Sequence, residues 1–169
     1  MKIAKIVSGG QTGADRGGLD AAIWCEMPYG GWIPKGRKAE DGVIPHKYEG
    51  LKETLSDDYL ARNEANVIDS DVTLVFCLGL PTGGSKKTVV FAKKHGKPCR
   101  AVNLCEDKDE TLERICGFIF GLSGASGVVN VAGSRESKSP GIERAVGDMM
   151  TEVISRMNGR YFYPPPKEG

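Results

Sequence analysis

Two glycine-rich runs in this chain have the residue types that hold anions. The first is Ser8-Gly9-Gly10-Gln11-Thr12-Gly13-Ala14-Asp15-Arg16, and the second is Pro81-Thr82-Gly83-Gly84-Ser85-Lys86-Lys87-Thr88. Each leaves an apolar, strand-like run and enters a helix-like one. Glycine lets the backbone turn tightly and lets a ligand approach the main chain with no Cβ in the way. At a helix start the first N–H groups have no intrahelical acceptor, and the helix dipole favours negative charge. Each run therefore predicts a phosphate-type oxyanion, held against Gly10 to Gly13 or against Gly83 to Ser85. The candidate ligand-binding residues are Gly9, Gly10, Gln11, Thr12, Gly13, Asp15 and Arg16 in the first run. In the second they are Thr82, Gly83, Gly84, Ser85, Lys86 and Thr88. Neither run is a G-x-G-x-x-G dinucleotide fingerprint or a P-loop, because no Gly-Lys-Ser/Thr follows. The plain alternative for each is a tight strand-to-helix turn without a ligand.

Three further clusters could supply charge. Lys35, Arg37 and Lys38 form a basic patch after Trp32-Ile33-Pro34, suited to a phosphate or another oxyanion. Trp32 or Tyr29 could stack on a flat ring, although Trp32 is expected in the core. Tyr59, Arg62 and Asn66 are spaced i, i+3 and i+7, so they share one helix face. Arg135, Glu136 and Ser137 follow a strand and precede a helix; Arg135 is the natural anion ligand, and Glu136 could orient it.

Positioning these residues requires a sheet whose loops converge. Short apolar runs alternate with amphipathic segments of helix length, the pattern of a parallel sheet covered by helices. Strands are expected at Lys2–Ser8, Gly31–Ile33, Val72–Leu78, Arg100–Leu104 and Gly127–Val131. Helices are expected at Ala14–Glu26, Asp57–Ile68 with Ser56 as N-cap, Ser85–His95, Asp109–Phe120 and Pro140–Met157. Val72–Leu78 is the most apolar strand and is placed centrally. The polar stretch Pro34–Leu55 reads as an ordered functional loop. One domain over residues 1–160 is expected, with a proline-rich tail at 161–169. Its Tyr161, Phe162 and Tyr163 would pack on the domain or on a neighbouring subunit.

Composition narrows the function classes. A net charge of +1 gives no global field toward nucleic acid or membrane, and no basic helix with interleaved aromatics appears. No run approaches the roughly 20 apolar residues that span a bilayer, and no signal peptide is apparent, so a cytoplasmic location is expected. The five cysteines include no CxxC pair and an odd one out, which reads as small buried hydrophobes and not as a disulfide or zinc framework.

The runs Ser8–Arg16, Gly30–Arg37, Asn66–Asp71 and Asn130–Ser137 together resemble the molybdenum carrier proteins, the circularly permuted YpsA-type branch of the SLOG superfamily. The likeness covers nearly the whole chain in order. It implies a three-layer Rossmann-like fold, with a mostly parallel sheet of about five strands, and a homo-oligomer. It also implies a nucleotide-like phosphate ligand at the glycine loops, or the molybdenum cofactor (molybdopterin), which carries a phosphate and a flat pterin. A small-molecule carrier or binding protein is therefore expected. The alternative is a nucleotide-processing hydrolase resembling the nucleoside-monophosphate phosphoribohydrolases of the wider superfamily, with Asp15, Glu40, Asp41 and Glu136 as candidate carboxylates. Their P-G-G-x-G-T-x-x-E loop has a helix glutamate, whereas Ser85–His95 contains none. That weakens the hydrolytic reading, because an oxocarbenium-like transition state would lack its neighbouring carboxylate.

Overall fold

The computed structural model describes residues 1–122 and 126–163. Six strands form one sheet: β1 (Lys5–Ser8), β2 (Tyr29–Ile33), β5 (Leu51–Glu53), β6 (Val72–Cys77), β7 (Cys99–Asn103) and β8 (Val128–Gly133). Their order is β5-β2-β1-β8-β6-β7, and every neighbouring pair is parallel. Five helices cover it: α1 (Ala14–Trp24), α2 (Tyr59–Ile68), α3 (Gly83–Lys94), α4 (Lys108–Phe120) and α5 (Ile142–Asn158). α1 and α4 pack on α5, while α2 packs on α3, giving the three-layer α/β fold.

Strand alternation sorts the core between the layers. Along β6, Val72, Leu74 and Phe76 join the cluster built with Ala21, Ile115, Ile119, Val146 and Met150 of the α1, α4 and α5 layer. All six β6 residues are buried. The strand is interior, though next to the edge strand β7; β1 and β8 hold the centre.

The stretch 34–55 is more structured than its composition suggests. It contains a short 3-10 turn (Lys35–Arg37), a two-stranded antiparallel hairpin β3–β4 (Lys38–Ala39 and Gly42–Val43), and the edge strand β5. A second small core lies beneath it, made of Leu19, Ile33, Ala39, Ile44 and Tyr48. Strands of two or three residues are too short to show a period, so the sequence reads them as loop.

Four helix starts differ from expectation; α3 begins at Gly83, two residues before Ser85, and α4 at Lys108, one before Asp109. α2 begins at Tyr59 with Asp58 as its cap, accepting from Leu60 N at 2.9 Å, while Ser56 Oγ accepts from Asp58 N. α5 begins at Ile142 after Gly141, so Pro140 lies just outside it. Trp32 is half-buried and not in the core: its indole N–H donates to Asp69 at 2.6 Å. Phe162 packs on the main core and its N–H donates to Ser155 Oγ at 3.0 Å; Trp24 Nε1 donates to Tyr163 O at 2.6 Å. Pro164 to Pro166 lie outside the described residues.

Asn66 joins α2 to β2. Its side chain accepts from Trp32 N and donates to Trp32 O, both at 2.8 Å, and the residue is 2% exposed. Asn66→Ala leaves both backbone groups without that partner, which should lower unfolding free energy by about 1–3 kcal/mol in a denaturant titration.

Candidate functional site

Because every strand of the sheet is parallel, the loops after β1, β2, β6 and β8 emerge on one edge, where open α/β sheets hold ligands. The two glycine runs meet different fates there. In the first, each N–H from Gln11 to Ala14 already has a protein acceptor. Gln11 N donates to Asp15 Oδ2 at 3.2 Å, Thr12 N to Gln11 Oε1 at 3.1 Å, Gly13 N to Glu143 Oε2 at 3.0 Å, and Ala14 N to Ser134 O at 3.0 Å. The α1 terminus is thus capped from within by the carboxylate of Glu143. The N–H groups from Gln11 to Gly13, where the sequence leads one to expect a ligand anion, are therefore occupied by the protein's own acceptors. Gly13 must be glycine: its φ is +83°, and a Cβ would meet Ser134 O and lie 2.6 Å from Glu136 N.

Beneath this loop lies a buried ion pair. Arg62 Nη1 donates to Asp15 Oδ2 at 2.8 Å, with the two side chains 7% and 5% exposed. Burial pushes the Asp15 carboxyl above the ordinary aspartate range, against the Arg62 charge and the Gln11 N–H that pull it down. The Arg62 guanidinium fills the space beside Gly9, where a Cβ would be 2.7 Å from Arg62 Nε. Gly9 therefore serves the close approach of Arg62 and not that of a ligand.

The second run stays open. Ser85 N and Lys86 N turn back onto Thr82 O, and Gly83 N and Gly84 N meet no acceptor among the described residues. Gly84 lines a cleft of about 230 Å³, and the neighbouring Gly83 lies beside Lys138, which also lines it. Its walls come from four places: Gln11 and Asp15 of the first loop, Arg62 and Asn63 of α2 with its cap Asp58, Thr82, Gly84, Ser85 and Thr88 at the start of α3, and the end of β8 with the following Ser134, Arg135 and Lys138. Lys138 Nζ stands 3.4 Å from where a Gly83 Cβ would be, and Asn63 Nδ2 3.8 Å from that of Gly84. Asn63 and Ser85 are 9% and 6% exposed, and neither side chain has a hydrogen-bond partner among the described residues. Gln11 Nε2 and Arg62 Nε are buried without one too. Buried polar atoms without a partner are rare in folded proteins; Gln11 and Arg62 line the cleft, whereas the third such atom among the described residues, Asn130 Oδ1, does not.

The predicted residues divide accordingly. Gln11, Asp15, Arg62, Thr82, Gly84, Ser85, Thr88 and Arg135 line the cleft, with Gly83 beside Lys138. Thr88 Oγ1 donates to Gly84 O at 3.0 Å. Arg16 is held elsewhere, bidentate on Asp41 at 2.6 and 2.8 Å. Arg37 donates to the carbonyls of Ile44, Pro45 and Tyr48, tying down the 34–50 segment. Glu136 accepts from the N–H groups of Gly141 and Glu143 and so caps the α5 turn. Lys35 and Lys86 are exposed and do not line the cleft; Thr12 and Ser137 bind Glu40 beside it. Sequence reasoning missed Asn63, Asp58 and Lys138, while Ser134, expected as a hydroxyl donor beside Arg135, does line the cleft. Lys138 lies three residues after Arg135, and its proximity to Gly83 comes only from the pairing of β8 with β6.

A larger groove, about 760 Å³, runs between α1 and α5 and includes Asp20, Trp24, Glu143 and Asp148. It is acidic and lies away from the open N–H groups of α3, so the smaller cleft is the better anion site.

The model of the circularly permutated YpsA SLOG family matches residues 6–154. The chain belongs to that family. A crystal structure from Syntrophus aciditrophicus SB, of a protein named "putative molybdenum carrier protein", is 44% identical, with a TM-score of 0.84 over 90% of this chain and 94% of that one. No curated protein matches the chain. The SLOG assignment agrees with the fold, which carries the glycine loops at the carboxyl edge of the sheet.

Two substitutions separate framework from cleft. Gly13→Ala should destabilise the fold by about 1–3 kcal/mol, since a strained φ and a backbone clash combine. Arg37→Ala should cost about 1–3 kcal/mol of stability by orphaning three carbonyls, while anion affinity measured by calorimetry stays at the wild-type value.

Proposed function

We propose that this protein holds a phosphate-bearing small molecule in the cleft, acting as a carrier or binding protein. The observation that carries this reading is the set of unpartnered donors around the α3 start: Gly83 N, Gly84 N, Ser85 and Asn63, with Lys138 overhead. A helix of this length offers partial positive charge at its first turn, and the N–H groups there point at one spot. Arg135 adds charge from the loop after β8, while the charge of Arg62 is balanced by Asp15.

The ligand is nucleotide-like or of the molybdopterin type. The similar structure's name as a molybdenum carrier supports the second, because that cofactor bears a phosphate that would take the α3 start. The cleft's wall residues are mostly polar, which suits the phosphate end of either ligand and leaves the ring toward the cleft mouth.

Calorimetry with inorganic phosphate, a nucleoside monophosphate and molybdate, together with native mass spectrometry of protein given molybdopterin, tests this reading. Binding of at least one phosphate compound in the micromolar range is expected. Lys138→Ala, an exposed change that leaves the fold intact, should weaken it roughly three- to tenfold, as expected for losing one charge-assisted hydrogen bond. No binding of any phosphate compound at high micromolar concentration would refute the proposal.

One observation favours a second, enzymatic reading: Asp15 lines the cleft and titrates above the ordinary range, as a general acid would. α3 contains no carboxylate to accompany it. A panel of nucleoside monophosphates that releases no base after prolonged incubation removes this reading.

A further inference from the structure

The tip of the β3–β4 hairpin, Glu40-Asp41, touches both sides of the site. Glu40 N donates to Gln11 Oε1 at 2.9 Å. The Glu40 carboxylate accepts from Thr12 Oγ1, from Ser137 N at 3.2 Å and from Ser137 Oγ at 2.6 Å. Its Oε2 lies 3.6 Å from Arg135 Nη1, and the side chain is 17% exposed. Thr12 Oγ1 in turn accepts from Glu136 N at 3.2 Å. One carboxylate therefore joins the first glycine loop, the hairpin and the loop after β8. Arg135 lies between this carboxylate and the Tyr59 ring, whose centroid is 5.4 Å away, and it forms part of the cleft wall.

We infer that Glu40 is a positioning residue for anion binding: it fixes the loop that carries Arg135 and Lys138, and as the counterion of Arg135 it limits the positive charge offered to a ligand. This rests on the anion site proposed above. The two roles have opposite consequences and can be separated by substitution. In Glu40→Gln an amide oxygen at the Oε1 position still accepts from Thr12 Oγ1 and Ser137 N, and the Ser137 hydroxyl turns to accept from the new NH2, so the loop stays in place while the negative charge is gone. Glu40→Ala removes the charge and the anchor together. The first glycine loop itself stays capped by Glu143 in both variants, so the fold keeps its main junction.

The test is a calorimetric titration of the full chain with inorganic phosphate and a nucleoside monophosphate at low salt. Glu40→Gln should bind about two- to fivefold more tightly than wild type, the range of a partly exposed ion pair. The gain should fade at high salt, where exposed charges are screened. Glu40→Ala should bind more weakly than Glu40→Gln. An affinity of Glu40→Gln equal to or below wild type at low salt overturns the inference while leaving the anion site standing.

A ligand-free measurement keeps the two readings apart. Although partial burial opposes it, hydrogen bonds from Ser137 and Thr12 hold the Glu40 carboxyl below the ordinary glutamate range. The Ser137 amide resonance should therefore titrate with a midpoint below that range, and the titration should vanish in Glu40→Gln. If Ser137 does not titrate, the anchor is absent in solution and the inference falls whatever binds. If Ser137 titrates but the wild type binds no phosphate compound, it is the proposed function that fails.

Discussion

The buried pair of Asp15 and Arg62 is the constraint around which the sheet edge is arranged. Two charges out of water are stable only when each is paired and further hydrogen-bonded. Asp15 meets this by accepting from Arg62 and from the Gln11 N–H, whereas Arg62 is paired through Nη1 alone and its Nε has no partner among the described residues. That requirement brings the first turn of α1 against the middle of α2, across the end of β1. It also leaves no space for a side chain at position 9. The glycine run thus follows from where an arginine must lie, and α2 is held at the distance that opens a cleft toward α3.

The two strand-to-helix turns show how one local sequence type can serve opposite ends. Both offer N–H groups and a helix dipole. At α1 the protein's own acceptors fill the positions: Glu143, Asp15, Gln11 and the Ser134 carbonyl. Burial lifts the Glu143 carboxyl above its usual range even so, the cost of placing an acid between α1 and α5. At α3 no acidic side chain among the described residues bonds to Gly83 or Gly84; Lys138 stands beside Gly83 and Asn63 beside Gly84. The difference comes from the neighbours each turn meets in three dimensions.

Much of the fold is legible in the sequence because parallel sheets buried on both faces require apolar strand runs and helices of amphipathic period. Val72–Cys77 and Ala14–Trp24 are plain on that basis. The short pieces between Pro34 and Leu55 are not, since β3, β4 and β5 draw their stability from Ile44, Tyr48 and the Arg37 carbonyl contacts and not from any period. Site residues are harder still. Arg16, Arg37, Arg62 and Arg135 are alike in sequence, each a guanidinium in a polar stretch or on a helix face. Only tertiary contact decides that Arg37 binds backbone carbonyls and Arg16 binds Asp41, while Arg62 and Arg135 border the cleft. Asn63 and Lys138 carry no motif signal, because what matters is the gap left opposite them.

The strand order has a consequence in time. β8 is the last strand of the sheet to be made, yet it sits between β1 and β6 and bonds to both. Until residues 128–133 emerge, β1 with β2 and β6 with β7 are two separate ribbons, each with a bare inner edge. Contacts such as Lys5 with Val128 span most of the chain, the kind of pairing that folds slowly. Open inner edges of this kind are where a nascent chain can pair with the wrong partner. The cleft proposed to hold an anion, whose walls include residues after β8, is completed only when that strand closes the sheet.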